Sequence, residues 1–207
     1  MLYLSPVWHS LLPQYRNRFG YIINIHSGKG PTYGIESGEL WMLDNGAFSD
    51  KWTESAWLAA LERWQPYTST CIAAVCPDVV GDAVATIERF RQYAPVIRQY
   101  GYPVAFVTQD GLTMDMVPWA EFDVLFVGGT DRHKLHKSMP FIVEAKRRGL
   151  WLHVGRVNSV RRMELFNVAD SCDGTTLSIE PSIRNQQKII HAMEAIKARK
   201  GQPCFTF

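Results

Sequence analysis

Eight short apolar runs, separated by segments of helical periodicity, divide this chain into regular units. Most of the runs are continuously apolar, which is typical of strands that are covered on both faces in a parallel sheet. The predicted strands are LYLS (2–5), YIINIH (21–26), WMLD (41–44), CIAAVCPD (71–78), VAFVTQ (104–109), VLFVGG (124–129), WLHVG (151–155) and, more weakly, SCDG (171–174).

Helical patterns lie between these runs and after the last one, at residues 54–65, 82–100, 134–148, 159–168 and 182–200. Thr53, Asn158 with Ser159, and Pro181 supply helix start signals. Eight strands that alternate with helices predict a compact (β/α)8 barrel, an α/β TIM-type fold, formed by residues 1–207 as a single domain. A doubly wound open sheet is the alternative.

The first two connections, PVWHSLLPQYRNRFG and SGKGPTYGIESGEL, contain only short or irregular patterns, so we expect an irregular barrel on that side. The segment SGKGPTYG lacks the spacing of a phosphate-binding loop, and we interpret it as a flexible loop.

No apolar run approaches the ~20 residues that span a bilayer, and the N-terminus MLYLSPVWHS lacks the pattern of an export signal. We therefore expect a cytoplasmic protein without a membrane partner. The sequence leaves a homo-oligomer open.

The cysteines and histidines do not form a recognisable metal or disulfide pattern. Cys71, Cys76, Cys172 and Cys204 include no C-x-x-C pair, so we predict neither a disulfide framework nor a metal site, and no cofactor. His133 and His136 are interpreted as surface residues, because no second pair completes a ligand set.

Positive charge is concentrated in the last third of the chain. Residues 131–207 contain fourteen Lys/Arg against seven Asp/Glu, a net +7, whereas residues 1–130 carry −5 within a total of +2. Clusters such as KRR (146–148), RVNSVRR (156–162) and KARK (197–200) indicate either a polyanion partner or ordinary solvated helix faces.

Polar residues or glycines lie at the C-terminal ends of the predicted strands, from the third to the eighth. Strand ends of a parallel barrel meet at one rim, where catalytic groups lie, so these residues are predicted to surround one ligand. Each Asp alone is also compatible with a helix cap or an Asx turn. The residues are Asp44, Asp78, Gln109, Gly128, Gly129, Gly155 and Asp173.

The order of these segments resembles that of the tRNA-guanine transglycosylase superfamily. LDNGAFSD resembles its D-S-G-G-F-Q segment, FVTQDG its V-Q-G-G segment, and FVGG its Gly-Gly strand end. LWLHVGRVNSVRRMELFNVADSCDGT resembles the segment that runs from Y-L-M-G-V-G to D-M-F-D-C, including the spacing of Asp170 and Asp173. The resemblance covers residues 21–175 and implies a barrel enzyme that exchanges a guanine in nucleic acid for a 7-deazaguanine base.

The resemblance also implies a role for each matched residue. Asp173 takes the position of the nucleophile that attacks C1′, and Asp44 that of the general acid/base. The base-reading positions fall on Asp78, Gln109, Gly128, Gly129, Asn45 and Gly155. Because a stacked nucleotide must be flipped out, its phosphates need cations, for which we expect Lys134, Lys137, Arg156, Arg161 and Arg162.

Four departures from the superfamily pattern favour DNA over tRNA as the partner. No C-x-C-x-x-C…H zinc cluster follows Asp173, TTLS replaces the Pro-Thr-Arg after the nucleophile, and Ser49 and Arg156 replace the usual Gln and Gly. The chain in this respect resembles the zinc-free, virus-associated (DpdA-type) branch that places 7-deazaguanines into DNA, which would place it in a host cytoplasm.

Three other functions stay open from the sequence. These are a tRNA-modifying enzyme, a nucleic-acid-binding barrel without turnover, and an N-glycosidase in which water replaces the incoming base. Trp41, Phe48 and Trp52 are either core residues or aromatic platforms for a base in any of these cases.

Overall fold

A computed structural model of the protein describes residues 1–25, 32–49 and 52–200. It contains a closed parallel barrel in which each strand pairs with its neighbours in chain order and β8 returns to β1. The strands are β1 Leu2–Ser5, β2 Gly20–Asn24, β3 Trp41–Asp44, β4 Cys71–Val75, β5 Val104–Thr108, β6 Val124–Val127, β7 Trp151–Val154 and β8 Ser171–Asp173. The predicted (β/α)8 barrel is confirmed, and the open-sheet alternative is wrong.

The helices surround this barrel. They are α1 Thr32–Glu36, α2 Glu54–Trp64, α3 Ala83–Gln99, α4 Asp131–His136, α5 Met139–Arg147, α6 Val160–Leu165, α7 Thr176–Ile179 and α8 Ile183–Lys200. Shorter 3-10 turns occupy Pro13–Arg18, Ala47–Ser49, Gln65–Thr70 and Met114–Met116. None of the described helices is long and apolar enough to cross a membrane.

Both faces of the strands are buried, which explains why the runs are continuously apolar. One set of side chains, including Leu4, Met42 and Val107, fills the inside of the barrel. The alternate set, including Trp41 and Phe106, packs outward against the helices. A strand with two buried faces has no polar side to alternate with.

The helix predictions are largely confirmed, with one correction. Residues 134–148 were predicted as one helix, but the chain forms α4 and then α5, with Lys137 and Ser138 between them. Pro140 lies in the first turn of α5, where its missing N–H is tolerated, so a new helix begins there. The short helices α1 and α7 were not predicted.

The first two connections are irregular, as predicted. The connection from β1 to β2 contains only the 3-10 turn Pro13–Arg18, and the described part of the next contains only the five residues of α1. Most of the predicted loop SGKGPTYG, residues 27–31, lies outside the described residues, as does position 26 of the second predicted strand.

His133 corrects the surface interpretation of the two histidines. It is buried, with Nε2 3.2 Å from the hydroxyl of Thr108, and its ring lies against Phe141. Only His136 is exposed. The N-terminal turn of α4 therefore packs onto the barrel rim, which matters for its neighbour Lys134.

Candidate active site

A cavity of about 380 Å³ opens at the carboxyl ends of the strands, within the ~300–1,000 Å³ of ordinary small-molecule sites. All eight residues predicted to be catalytic or to bind the base lie in its wall. They are Asp44, Asn45, Asp78, Gln109, Gly128, Gly129, Gly155 and Asp173.

Strand alternation places most of these residues there. Ala105 and Val107 of β5 point into the barrel, and Gln109 is the next residue of the same parity. Asp44 likewise follows inward-facing Met42 by two positions. Since alternate residues of a strand share one face, the last inward residue of each strand meets the cavity at the rim.

Asp44 is a partly buried carboxylate in the wall of the cavity. Burial, followed by the negative charges of Asp173 and Asp78, raises its pKa to about 7. Asn24 donates to its Oδ2 at 3.0 Å, and the backbone N–H of Gly46 also donates to the carboxylate. A carboxyl with this pKa can both give and take a proton near neutral pH.

Asp78 is held between two side-chain amides. Asn45 Nδ2 donates to Oδ1 at 2.7 Å and Gln109 Nε2 donates to Oδ2 at 2.5 Å. Gln109 is itself oriented by the N–H of Gly81, which donates to its Oε1 at 2.9 Å. Burial raises the pKa of Asp78, and the amides and Arg89 oppose that shift. Its two oxygens therefore have a fixed plane.

The helix-cap interpretation of the strand-end aspartates is wrong. The helices after β3, β4 and β8 have other N-cap residues, Thr53, Asp82 and Thr175. The Asx-turn alternative has partial support, because the Gly46 N–H donates to Asp44 and Ala47 N donates to Asn45 Oδ1 at 2.7 Å.

Asp173 ends a chain of hydrogen bonds that rises through the barrel interior. Trp151 Nε1 donates to Ser171 Oγ at 2.9 Å, and that oxygen lies 2.9 Å from His153 Nδ1. His153 Nε2 lies 3.0 Å from Asp173 Oδ1. Because an ionised carboxylate only accepts, a neutral His153 carries its proton on Nε2, facing Asp173, and its Nδ1 accepts from the Ser171 hydroxyl.

The backbone N–H of Arg156 gives Asp173 a second hydrogen bond, also to Oδ1, at 3.2 Å. Both described hydrogen bonds of this carboxylate thus fall on one oxygen. Oδ2 is the oxygen that remains for a ligand in the cavity.

The glycines of the rim keep side chains out of the cavity wall. A Cβ at Gly128 would lie 2.5 Å from Val107 Cγ1, and one at Gly155 would lie 2.6 Å from Phe126. Gly129 has a φ of +77°, a conformation that side chains rarely adopt. These positions bring backbone close to any ligand.

Only two of the five predicted phosphate-binding cations, Lys134 and Arg156, line the cavity. Arg161 and Arg162 lie on a separate groove beside α6, and Lys137 is exposed on the surface. Lys134 is only 4% exposed, which differs from the open basic face that the sequence suggested. Arg162 forms an ion pair with Asp131 at 2.7 Å.

Arg156 adopts a left-handed backbone conformation, with a φ of 60°, which is uncommon for a residue with a side chain. Its guanidinium lies 3.8 Å from the ring centroid of Phe48, which is 59% exposed at the cavity. The loops after β3 and β7 therefore meet across the mouth of the cavity.

The three aromatic candidates have different positions. Trp41 is fully buried and packs against Trp64 and Tyr102, so it belongs to the core. Trp52 is partly buried beside Tyr93. Phe48 is the one of the three that lines the cavity.

Sequence reasoning missed Asn24 and His153. His153 could have been identified from the sequence, because a histidine at an inward position of the apolar run WLHV needs a polar partner inside the barrel. Asn24 has the same parity as Ile22 and could be found in the same way.

In the described part of the chain, His, Cys, Asp and Glu side chains do not form a group of three that could hold a metal ion. No protein-family model and no curated protein matches this sequence.

Proposed function

We propose that this protein is a base-exchange glycosyltransferase that replaces guanine in DNA with a 7-deazaguanine through a covalent aspartyl intermediate. One observation carries the proposal. Three strand-end carboxylates, Asp44, Asp78 and Asp173, share one cavity but have different neighbours.

Asp78 supports recognition of guanine. N1–H and the N2 amino group of guanine are adjacent donors, and a carboxylate of fixed plane accepts both. Asn45 and Gln109 hold that plane from either side. O6 of guanine only accepts hydrogen bonds. The Gln109 amide and the backbone at Gly128 and Gly129, in the wall of the cavity, would donate to it.

Asp173 supports covalent chemistry. Its free oxygen would attack C1′ of the target nucleotide as the C1′–N9 bond breaks, and the bond electrons leave with guanine. The protonated Asp44 would transfer its proton to the departing base. The incoming base would then return its N9 proton to Asp44 and attack C1′, which releases the Asp173 carboxylate.

The pKa of Asp44 suits this cycle. A group that donates in one half of the reaction and accepts in the other works best when its pKa lies near the working pH. A value of about 7 meets that requirement, whereas an ordinary aspartate would hold almost no proton at neutral pH.

The choice of DNA rests on the sequence alone, since the zinc cluster of tRNA-acting relatives does not follow Asp173. A cavity of this size takes one nucleotide, so the target base must be flipped out or unpaired. Arg156 at the mouth could then contact the flanking phosphates.

Labelled guanine separates the candidate functions. Single-stranded DNA, duplex DNA and tRNA would each be incubated with the protein and the label. Incorporation of label indicates exchange, alkali-sensitive base loss without incorporation indicates an N-glycosidase, and retention on a gel without either indicates a binder. Preference for tRNA would overturn the choice of DNA.

Asp173→Ala tests the mechanism. Exchange should be lost while DNA retention stays close to that of the unaltered protein, and the covalent protein–DNA adduct should vanish from denaturing gels. Asp82→Asn is the matched control, because Asp82 caps α3 outside the cavity and Asn caps equally well. Full exchange by Asp173→Ala would remove this residue as the nucleophile.

A further inference from the structure

Lys134 is a buried cation in the wall of the cavity. Its side chain is 4% exposed, and Nζ donates to the backbone carbonyl of Gly155 at 3.1 Å. Asp131 Oδ1 lies 3.7 Å away, beyond hydrogen-bond distance. An ammonium has three N–H donors, and among the described contacts only the bond to Gly155 is within hydrogen-bond distance.

Charges of both signs surround this ammonium: Arg156 and Arg162 on one hand, Asp131 and Asp173 on the other. Burial lowers the pKa of Lys134, and the charge of Arg156 lowers it further, against weaker opposing effects of Asp131 and Asp173. This buried ammonium has one close hydrogen bond and one longer ion pair, to Asp131, so an anion or a strong acceptor in the cavity would stabilise it further.

The order of strands around the barrel fixes how a guanine-like base would lie. The donor edge of the base, N1 and N2, faces Asp78 after β4, and C1′ faces Asp173 at β8, on the opposite side. The proposed proton transfer places Asp44 beside the N9 edge of the base, so O6, which only accepts hydrogen bonds, turns toward Gln109 and Gly129.

Position 7 of a purine follows O6 along the same edge. With O6 at the ends of β5 and β6, position 7 comes next, at the ends of β6 and β7. Lys134 lies there, because its Nζ is hydrogen-bonded to the Gly155 carbonyl after β7 and its helix α4 begins two residues after Gly129.

We propose that Lys134 selects the incoming base by its C7 substituent, favouring a hydrogen-bond acceptor, above all a carboxylate, and disfavouring an aminomethyl cation. This inference rests on the proposed function, since it assumes that the cavity holds a 7-deazaguanine.

Binding of free bases tests the inference without turnover. Calorimetry would compare 7-carboxy-7-deazaguanine, guanine and 7-aminomethyl-7-deazaguanine on the full chain. We expect the carboxy base to bind at least ~10-fold more tightly than the aminomethyl base. Equal affinity, or tighter binding of the aminomethyl base, would overturn the inference.

Lys134→Met should reduce this affinity ratio by about tenfold, and Lys134→Arg should keep the preference for the carboxy base. Lys188→Met, on α8 away from the cavity, is the matched control and should keep the ratio. An equal loss of affinity for all three bases would indicate a phosphate-binding or structural role and contradict the proposal.

The two proposals fail in different ways. Guanine exchange without a preference among C7 substituents would overturn the role of Lys134 and leave the transglycosylase intact. A preference for the carboxy base without any exchange would support Lys134 as a specificity residue and remove the proposed reaction.

Discussion

Asp44→Asn replaces the proposed proton carrier with an amide of the same shape, and it should change stability and activity in opposite directions. The pKa of Asp44 is raised from 3.8 to about 7 in the folded protein. At a pH between these two pKa values, Asp44 is protonated in the folded protein but ionised in the unfolded chain. Stability therefore falls as the pH rises from about 4 to about 7.

The size of the effect follows from the same two values. Each pKa step of one corresponds to about 1.4 kcal/mol, so ionising Asp44 costs the folded state about 4 kcal/mol above pH 7. The amide cannot ionise and avoids this cost. Asp44→Asn should therefore be more stable than the unaltered protein, and the difference in unfolding free energy should grow by about 2 to 3 kcal/mol from pH 5 to pH 8.

Urea unfolding at pH 5 and pH 8 measures the gain, with Asp82→Asn as the exposed control that should change little at either pH. Base exchange measures the loss, which should be about 10²- to 10⁴-fold because general acid–base catalysis contributes that much. If Asp44→Asn destabilises the protein equally at both pH values, Asp44 is a structural residue of its Asx turn and the reasoning fails.

Further predictions concern the neighbours of the reacting atoms. Asp78→Asn should weaken guanine binding by about 10- to 100-fold and reduce the preference for guanine over hypoxanthine, which lacks the N2 amino group; an unchanged preference in competition binding would contradict the role of Asp78. His153→Phe should lower kcat of exchange by about 10- to 100-fold with little effect on KM, through loss of the hydrogen bond to Asp173. His153→Gln, whose amide can still donate, should recover part of kcat, and an equal loss in both variants would make His153 purely structural. In the unaltered protein, exchange should decline above about pH 7 as Asp44 loses its proton, and a flat profile from pH 6 to pH 9 would exclude Asp44 as the acid.

The rim of the site could be predicted because two simple regularities act together. Alternation within a strand decides which residues face inward, and a closed parallel barrel brings all carboxyl ends to one mouth. Gln109 and Asp173 need nothing more than the positions of their strands. The eight predicted residues therefore converge although they span 130 positions, from Asp44 to Asp173.

The contacts made by helices could not be predicted in this way. Lys134 and His133 look like surface residues in the run DRHKLHKS, because six residues are too few to show a clear buried face. Their burial depends on how α4 packs against the barrel rim, where His133 contacts Thr108 and Lys134 contacts Gly155. Pro140 in the first turn of α5 marks the start of a new helix. Tertiary packing outweighs local pattern at such short helices.

The three carboxylates illustrate how one side chain can take three roles in one cavity. Asp44 has two negative neighbours and is desolvated, so it holds a proton. Asp78 has an amide on each oxygen, which fixes its plane for two donors of a base. Asp173 has both described donors on Oδ1, which leaves Oδ2 for attack.

Because the neighbouring residues determine each role, the same Asp-to-Asn substitution should impair a different function at each position. At Asp44 it should remove proton transfer and stabilise the fold at high pH, whereas at Asp78 it should remove discrimination between bases. At Asp173 it should remove the covalent intermediate while a base still binds. Three variants with one common defect would instead indicate that the carboxylates form a single electrostatic unit, and the separate roles would be wrong.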